Sequence, residues 1–245
     1  MIPLLHIITA ISFLLCCFIA KRLYVVYQKT KIVNIGDFFK AYISLGFYFF
    51  LVSLPMVLSN GILVQITYVA SYIPVILSAA FLFRVAMRIL EVPINPKYIS
   101  YVIYILIAVV TLLNLFFFSP AYIAVSNHLF YHWVETTPFF LQIFNGIILL
   151  ILVVGCAILF FWGGIKSRDR IIRMRAFIIG SGVSLLVLAV SANYVLAPPG
   201  RNLEWKIAWW LTILAALLAI SGLILILAGI NYGEQKNEQK KENKK

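Results

Sequence analysis

The sequence predicts an all-α fold: a polytopic membrane bundle of seven transmembrane helices, N-terminus outside and C-terminus cytoplasmic. Three observations predict it. Of 245 residues, 63% are hydrophobic and only 11% charged, where a soluble domain carries about 25% charged residues; no core of this size hides that much apolar surface from water. Seven segments approach the ~20 apolar residues that a helix needs to cross ~30 Å of hydrocarbon. Basic residues collect in every second connection, as they do on the cytoplasmic side of short loops.

The first span, 3–20, is apolar from its start, and Lys21 and Arg22 follow it. That order describes a helix that enters from outside and stops at cytoplasmic charge; a signal peptide carries its positive residues first. The second span, 41–58, ends at Ser59-Asn60-Gly61, a tight turn into the third, 62–83. Pro55 and Pro74 predict kinks, which membranes tolerate when neighbours satisfy the freed carbonyls. The fourth span, 99–118, is joined to the fifth, 139–162, by about twenty residues without Lys or Arg. Within that connection, 122–134 mixes aromatic and polar residues and reads as a short interfacial helix. The sixth, 176–196, and seventh, 207–230, are separated by Ala197-Pro198-Pro199-Gly200, then Trp205, Trp209 and Trp210, which suit the aromatic belt. Residues 1–232 thus form the membrane domain, and 233–245 a charged, low-complexity cytoplasmic tail expected to be disordered.

Eighteen of the twenty Lys and Arg residues follow the first, third, fifth and seventh spans; only Arg201 and Lys206 lie on the other side. The net charge of +12 is therefore a topology signal that calls for no nucleic acid. Cys16, Cys17 and Cys156 fall within spans and give no disulfide framework. Packing is their expected role, with palmitoylation near the inner leaflet the alternative.

No ionisable residue lies at mid-span: all eight acidic residues fall in loops, at span ends or in the tail. That argues against a pump working through a buried carboxylate. Length and topology are similar to those of microbial rhodopsins, yet the seventh span has no central lysine (Lys206 is at its outer edge) and the third has no Asp or Glu. Retinal is rejected on those positions. Haem bridging the membrane is disfavoured because no histidine lies in the cytoplasmic half, and no catalytic constellation marks an enzyme.

Uncharged polar residues gather in the outer half. Thr67, Ser71 and Ser78 follow one face of the third span, with Tyr68 and Tyr72 beside it. Asn114 lies near the outer end of the fourth, Gln142 and Asn145 share a face of the fifth, and Ser191, Asn193 and Tyr194 end the sixth. Thr67, Ser71, Tyr72, Asn114, Gln142, Asn145 and Asn193 define a candidate pocket for a small uncharged or zwitterionic ligand. Interhelical hydrogen bonding, at ~0.6 kcal/mol per pair, is the other reading. A second candidate is 128–135: as a helix it would place His128, His132 and Glu135 on one face. Two imidazoles and a carboxylate suit zinc or another borderline metal, with His6 near the same surface. The other readings there are interfacial polar residues on a lid and a pH sensor. Ala176, Gly180 and Ser184, and Ala215, Ala219 and Gly222, are small-residue faces for close packing inside the bundle.

The layout resembles the seven-helix membrane sensor region of some bacterial and archaeal histidine kinases. The resemblance rests on the N-out topology, the Ser59-Asn60-Gly61 turn, the third span ending in Phe83-Arg84-Val85-Ala86-Met87-Arg88, the aromatic outer loop, and the basic stretch 170–175 before a glycine-containing span. It covers nearly the whole chain, but that family's catalytic domain is not in the sequence. It implies a stand-alone sensor or receptor of the plasma membrane, taking a small extracellular ligand and signalling through a cytoplasmic or membrane partner. No functional residue carries over from it. A facilitative small-solute carrier and a structural or assembly subunit of a membrane complex share this size and topology. Beyond the lipid bilayer, the expected partners are that signalling protein and the small uncharged ligand.

Overall fold

The computed structural model describes residues 4–90, 96–126, 130–191 and 205–232. Seven helices follow one another: α1 Leu4–Thr30, α2 Val33–Ser53, α3 Gly61–Ile89, α4 Pro96–Phe116, α5 Phe139–Lys166, α6 Arg170–Ser191 and α7 Trp205–Asn231. A 3₁₀ turn, Leu54–Met56, follows α2, and two strands, β1 Tyr122–Ser126 and β2 Phe130–Val134, lie between α4 and α5. Six of the helices hold segments long and apolar enough to cross a membrane, and α4 adds a shorter apolar stretch, Tyr101–Phe116. This is the architecture of an integral, multi-pass membrane protein.

The helices run past the spans. α1 has 27 residues, about 40 Å at 1.5 Å per residue, and carries Lys21 and Arg22 within it. The expected connection 21–40 shrinks to a two-residue turn, in which Lys31 adopts φ 54° and donates its N–H to the Tyr27 carbonyl at 2.8 Å. Long basic side chains reach water from a helix that keeps its backbone bonds, so charge marks the end of the membrane rather than the end of the helix. Pro55 terminates α2 in the 3₁₀ turn, whereas Pro74 stays inside α3. Asn60 starts α3: its side-chain oxygen accepts from the N–H groups of Ile62 and Leu63 at 2.8 and 3.4 Å.

The loop before α5 corrects the expected helix. Residues 122–126 and 130–134 pair as antiparallel strands, with Ile123 opposite Trp133 and Ala124 opposite His132. Tyr-Ile-Ala-Val-Ser and Phe-Tyr-His-Trp-Val are rich in the β-branched and aromatic residues that favour a pleated surface, and that preference outweighs the helical reading.

α1 packs on α2, α2 on α3, α3 on α5, α5 on α6, α6 on α7, and α7 returns to α1; α4 lies outside this ring against α3 and α5. The main core takes Phe38, Tyr42, Phe49, Phe160, Ile179, Val183, Leu223 and Ile226. Tyr42 crosses it to donate its hydroxyl to the Leu223 carbonyl at 2.7 Å, tying α2 to α7. Apolar side chains such as Phe18, Leu112 and Phe116 stay exposed on the outside, as lipid-facing residues do. Cys16 and Cys156 are buried packing residues and Cys17 is exposed.

Two glycines bring the backbones of α6 and α7 close together. A Cβ on Gly182 would meet the Gly222 carbonyl at 2.7 Å, and one on Gly222 would meet the Gly182 carbonyl at 2.6 Å. The expected small-residue face of α6 lies inside the bundle, with Ala176 buried, and a second one faces α7. Gly180 turns toward the Phe161 ring of α5, and Gly182, two residues on, is where α7 presses.

Candidate polar site beneath the hairpin

The hairpin is fastened to the helices at three points. Trp133, buried, donates its indole N–H to the Pro55 carbonyl at 3.0 Å. The Tyr68 hydroxyl donates to the Trp133 carbonyl at 3.3 Å. Ala121 donates its N–H to the Gly61 carbonyl at 3.0 Å. Val64, Ala121 and Trp133 close the apolar contact below. Pro55 earns its place here through geometry: the turn it forces at the end of α2 leaves its own carbonyl outside a helical ladder, open to Trp133.

From the hairpin the chain turns inward, and this turn builds the site. Glu135, half-buried, accepts the Tyr72 hydroxyl at 3.1 Å and the Thr137 hydroxyl, both on Oε1. Gln65 of α3 brackets the same stretch: its amide nitrogen donates to Thr137 Oγ1 at 3.2 Å, and its oxygen accepts the Thr136 N–H at 3.3 Å. Gln142, one turn into α5, donates to the Thr137 carbonyl at 2.8 Å. Below it, the Asn114 and Asn145 amides donate to each other at 3.4 and 3.2 Å, joining α4 to α5. Gln65, Gln142 and Asn145 are each 1% exposed and Tyr72 and Asn114 2%, so these groups face one another and not lipid.

Four of the seven predicted pocket residues, Tyr72, Asn114, Gln142 and Asn145, therefore meet. Thr67 and Ser71 do not join them: their hydroxyls bond back to the carbonyls of Val64 and Tyr68 on their own helix at 2.7 Å. That local bond is the commonest outcome for Ser and Thr inside a helix. Asn193 lies outside the described residues. Gln65 and Thr137 belong to neither predicted set, and Glu135 only to the metal stripe. The signal for Glu135 and Thr137 is Glu135-Thr136-Thr137-Pro138 directly ahead of an apolar run, a polar segment held at the membrane edge.

The predicted stripe of His128, His132 and Glu135 needs a helix, and residues 130–134 are a strand. His128 and the side chain of His132 lie outside the description. Among the described residues, no group of three His, Cys, Asp or Glu side chains is placed to hold a metal. His6, expected near the same surface, is buried on α1 with Nδ1 3.0 Å from the Val52 carbonyl.

Burial raises the Glu135 carboxyl above its ordinary value of 4.5, and the hydroxyls of Thr137 and Tyr72 offset this only in part. Protonation therefore favours the folded state. That contribution is complete below about 4.5 and is lost as pH rises through the folded value. Glu135→Gln copies the protonated form in shape. Its melting midpoint is expected to match wild type near pH 4.5 and to exceed it increasingly on the alkaline side, measured in detergent at fixed ionic strength.

Gly61 is the hinge on which the seating depends. A Cβ there would lie 2.1 Å from the Ala121 carbonyl oxygen, a clash no rotamer relieves. Gly61→Ala is expected to unseat the hairpin at a cost of about 1–3 kcal/mol and to red-shift the Trp133 emission, read against a Trp133→Phe control.

A second charged cluster closes the opposite end of α3. Asp37 of α2, 2% exposed, lies 2.6 Å from Arg88, 3.8 Å from Arg84 and 3.9 Å from Lys40. These are the ion pairs among the described residues. Arg84 also lies over the Phe81 ring at 5.8 Å.

Comparison with protein-family models, with curated proteins and with solved structures returned no match.

Proposed function

We propose that the chain is a plasma-membrane sensor or receptor with its N-terminus outside, which takes a small ligand at the polar site beneath the hairpin and signals to a partner through its cytoplasmic face. The observation that carries this reading is the placement of both polar clusters on α3. Tyr72 touches Glu135 at the outer end, and Arg84 and Arg88 hold Asp37 at the inner end. Twelve residues of helix separate them, about 18 Å. Pro74 stands just inside Tyr72 and leaves the Ala70 carbonyl without its helical donor, a natural point of flexure. A ligand that draws on the Tyr72–Glu135 contact would change the tilt of α3 and with it the geometry around Asp37. A population shift of this kind requires differential contact with two arrangements, and the hairpin supplies a part that can seat or lift.

Reconstitution in liposomes tests it. A compound that raises the melting midpoint is expected to alter amide exchange at 84–90 without being taken up into the lumen. Uptake down a gradient would instead support the facilitative carrier.

A further inference from the structure

We infer that the ligand of the outer site is a small organic ammonium cation, bound at the carboxylate of Glu135 and the amide oxygen of Gln142. This deepens the sensor reading and rests on it. The site pairs its own donors and leaves acceptors over. The donating groups at the site each make a hydrogen bond within it: the Tyr72 and Thr137 hydroxyls to Glu135 Oε1, the Gln65 and Gln142 amide nitrogens to Thr137, and the Asn114 and Asn145 amides to each other.

What stays open is acceptor capacity. Gln142 Oε1 is buried with no hydrogen-bond partner, in a side chain 1% exposed. Its orientation is fixed, because the opposite amide assignment would set oxygen against the Thr137 carbonyl. Glu135 accepts both its bonds on one oxygen, and Oε2 receives none among the described residues. No Lys or Arg among them lies within ion-pair distance of this carboxylate; the ion pairs are those of Asp37. The Thr111 hydroxyl, one turn along α4 from Asn114, also lacks a partner and can donate or accept.

A half-buried carboxylate and an unfilled amide oxygen call for a guest that brings N–H donors and positive charge. Tyr72, whose hydroxyl reaches Glu135 at 3.1 Å, and Tyr68, one turn earlier on α3 and bonded to the Trp133 carbonyl at 3.3 Å, bring to this end of α3 the aromatic rings that an ammonium group favours.

The test uses the full-length protein in neutral detergent at pH 7.5 with ethylammonium chloride as probe, and with sodium chloride and ethanol as controls for ionic strength and for the apolar body. The melting midpoint of wild type is expected to rise saturably with ethylammonium and with neither control. In Glu135→Gln the apparent Kd is expected to weaken about tenfold or more, as loss of a charge-assisted bond does, while Glu135→Asp retains binding. Absence of a shift in wild type overturns the inference, as does an equal shift in Glu135→Gln. If Glu135→Gln fails to fold, wild type compared with ethanol and Glu135→Asp still decides. A shift given only by neutral acetamide, and lost in Gln142→Ala, overturns the cation while leaving the small-ligand sensor intact. Silence to amines and to neutral compounds together overturns both.

Discussion

Asp37→Ala destabilises the bundle by about 2–3 kcal/mol. The carboxylate is 2% exposed and holds three cations, with Arg88 at 2.6 Å. Removing it leaves like charges facing one another at the α2–α3 contact. Loss of one partner of a fully buried pair costs about 3–5 kcal/mol; Arg84 and Arg88 retain 24% and 26% exposure and recover some hydration, which lowers the figure. Adding Arg88→Met to Asp37→Ala is expected to restore part of the loss, because one unpaired charge is then gone. Thermal melting of the two variants checks both statements. Additive losses would mean that the pair is not coupled. The same cluster sits at the C-terminal end of α3, so Asp37→Ala is also expected to alter amide exchange at 84–90.

Gly182→Val costs about 3 kcal/mol or more. The obstacle to a side chain at Gly182 is backbone: the Gly222 carbonyl at 2.7 Å and the Ile226 nitrogen at 2.9 Å. No rotamer change makes room, so α6 and α7 must separate, and their close packing is what holds helices together where lipid offers no hydrophobic drive. Gly180→Ala is the discriminating control. Its neighbour is the Phe161 ring at 3.2 Å, a side chain that can tilt, and its cost is expected to stay below about 1.5 kcal/mol. Monodispersity and melting midpoint of the two variants separate the tight α6–α7 face at Gly182 from the softer α5-facing one at Gly180.

That contrast shows how far the sequence could be read. Seven helices were legible because apolar runs of membrane length have few other uses, and alternating basic loops give an expected orientation. The two-residue turn at Lys31 was not legible, since Lys21 and Arg22 mark where lipid ends and carry no helix-stop signal. The hairpin was missed for a related reason. Aromatic residues near a membrane surface suit an interfacial helix as well as a strand, and the Trp133–Pro55 and Tyr68–Trp133 bonds that favour strands are long-range.

The polar site was half visible. Tyr72, Asn114, Gln142 and Asn145 stand out because amides and a tyrosine within apolar spans need partners. Thr67 and Ser71 look equal to them in sequence but are satisfied by their own helix. Glu135 was assigned to a histidine stripe by helical spacing; the strand removes that spacing and the inward turn delivers the carboxylate to α3 instead. Gln65 follows the Asn60 cap by little more than one turn and faces inward for a reason only the returning 135–137 segment supplies.

The account stands or falls on whether the polar groups beneath the hairpin form a binding site. The direct measurement is a melting series of wild type, Gln142→Ala and Tyr72→Phe against a panel of small amines, amides, amino acids and sugars. The account predicts that at least one compound raises the wild-type midpoint saturably, and that both variants fold yet need about tenfold more of it for the same rise. Compounds that shift all three proteins equally, or a panel that shifts none, would contradict it.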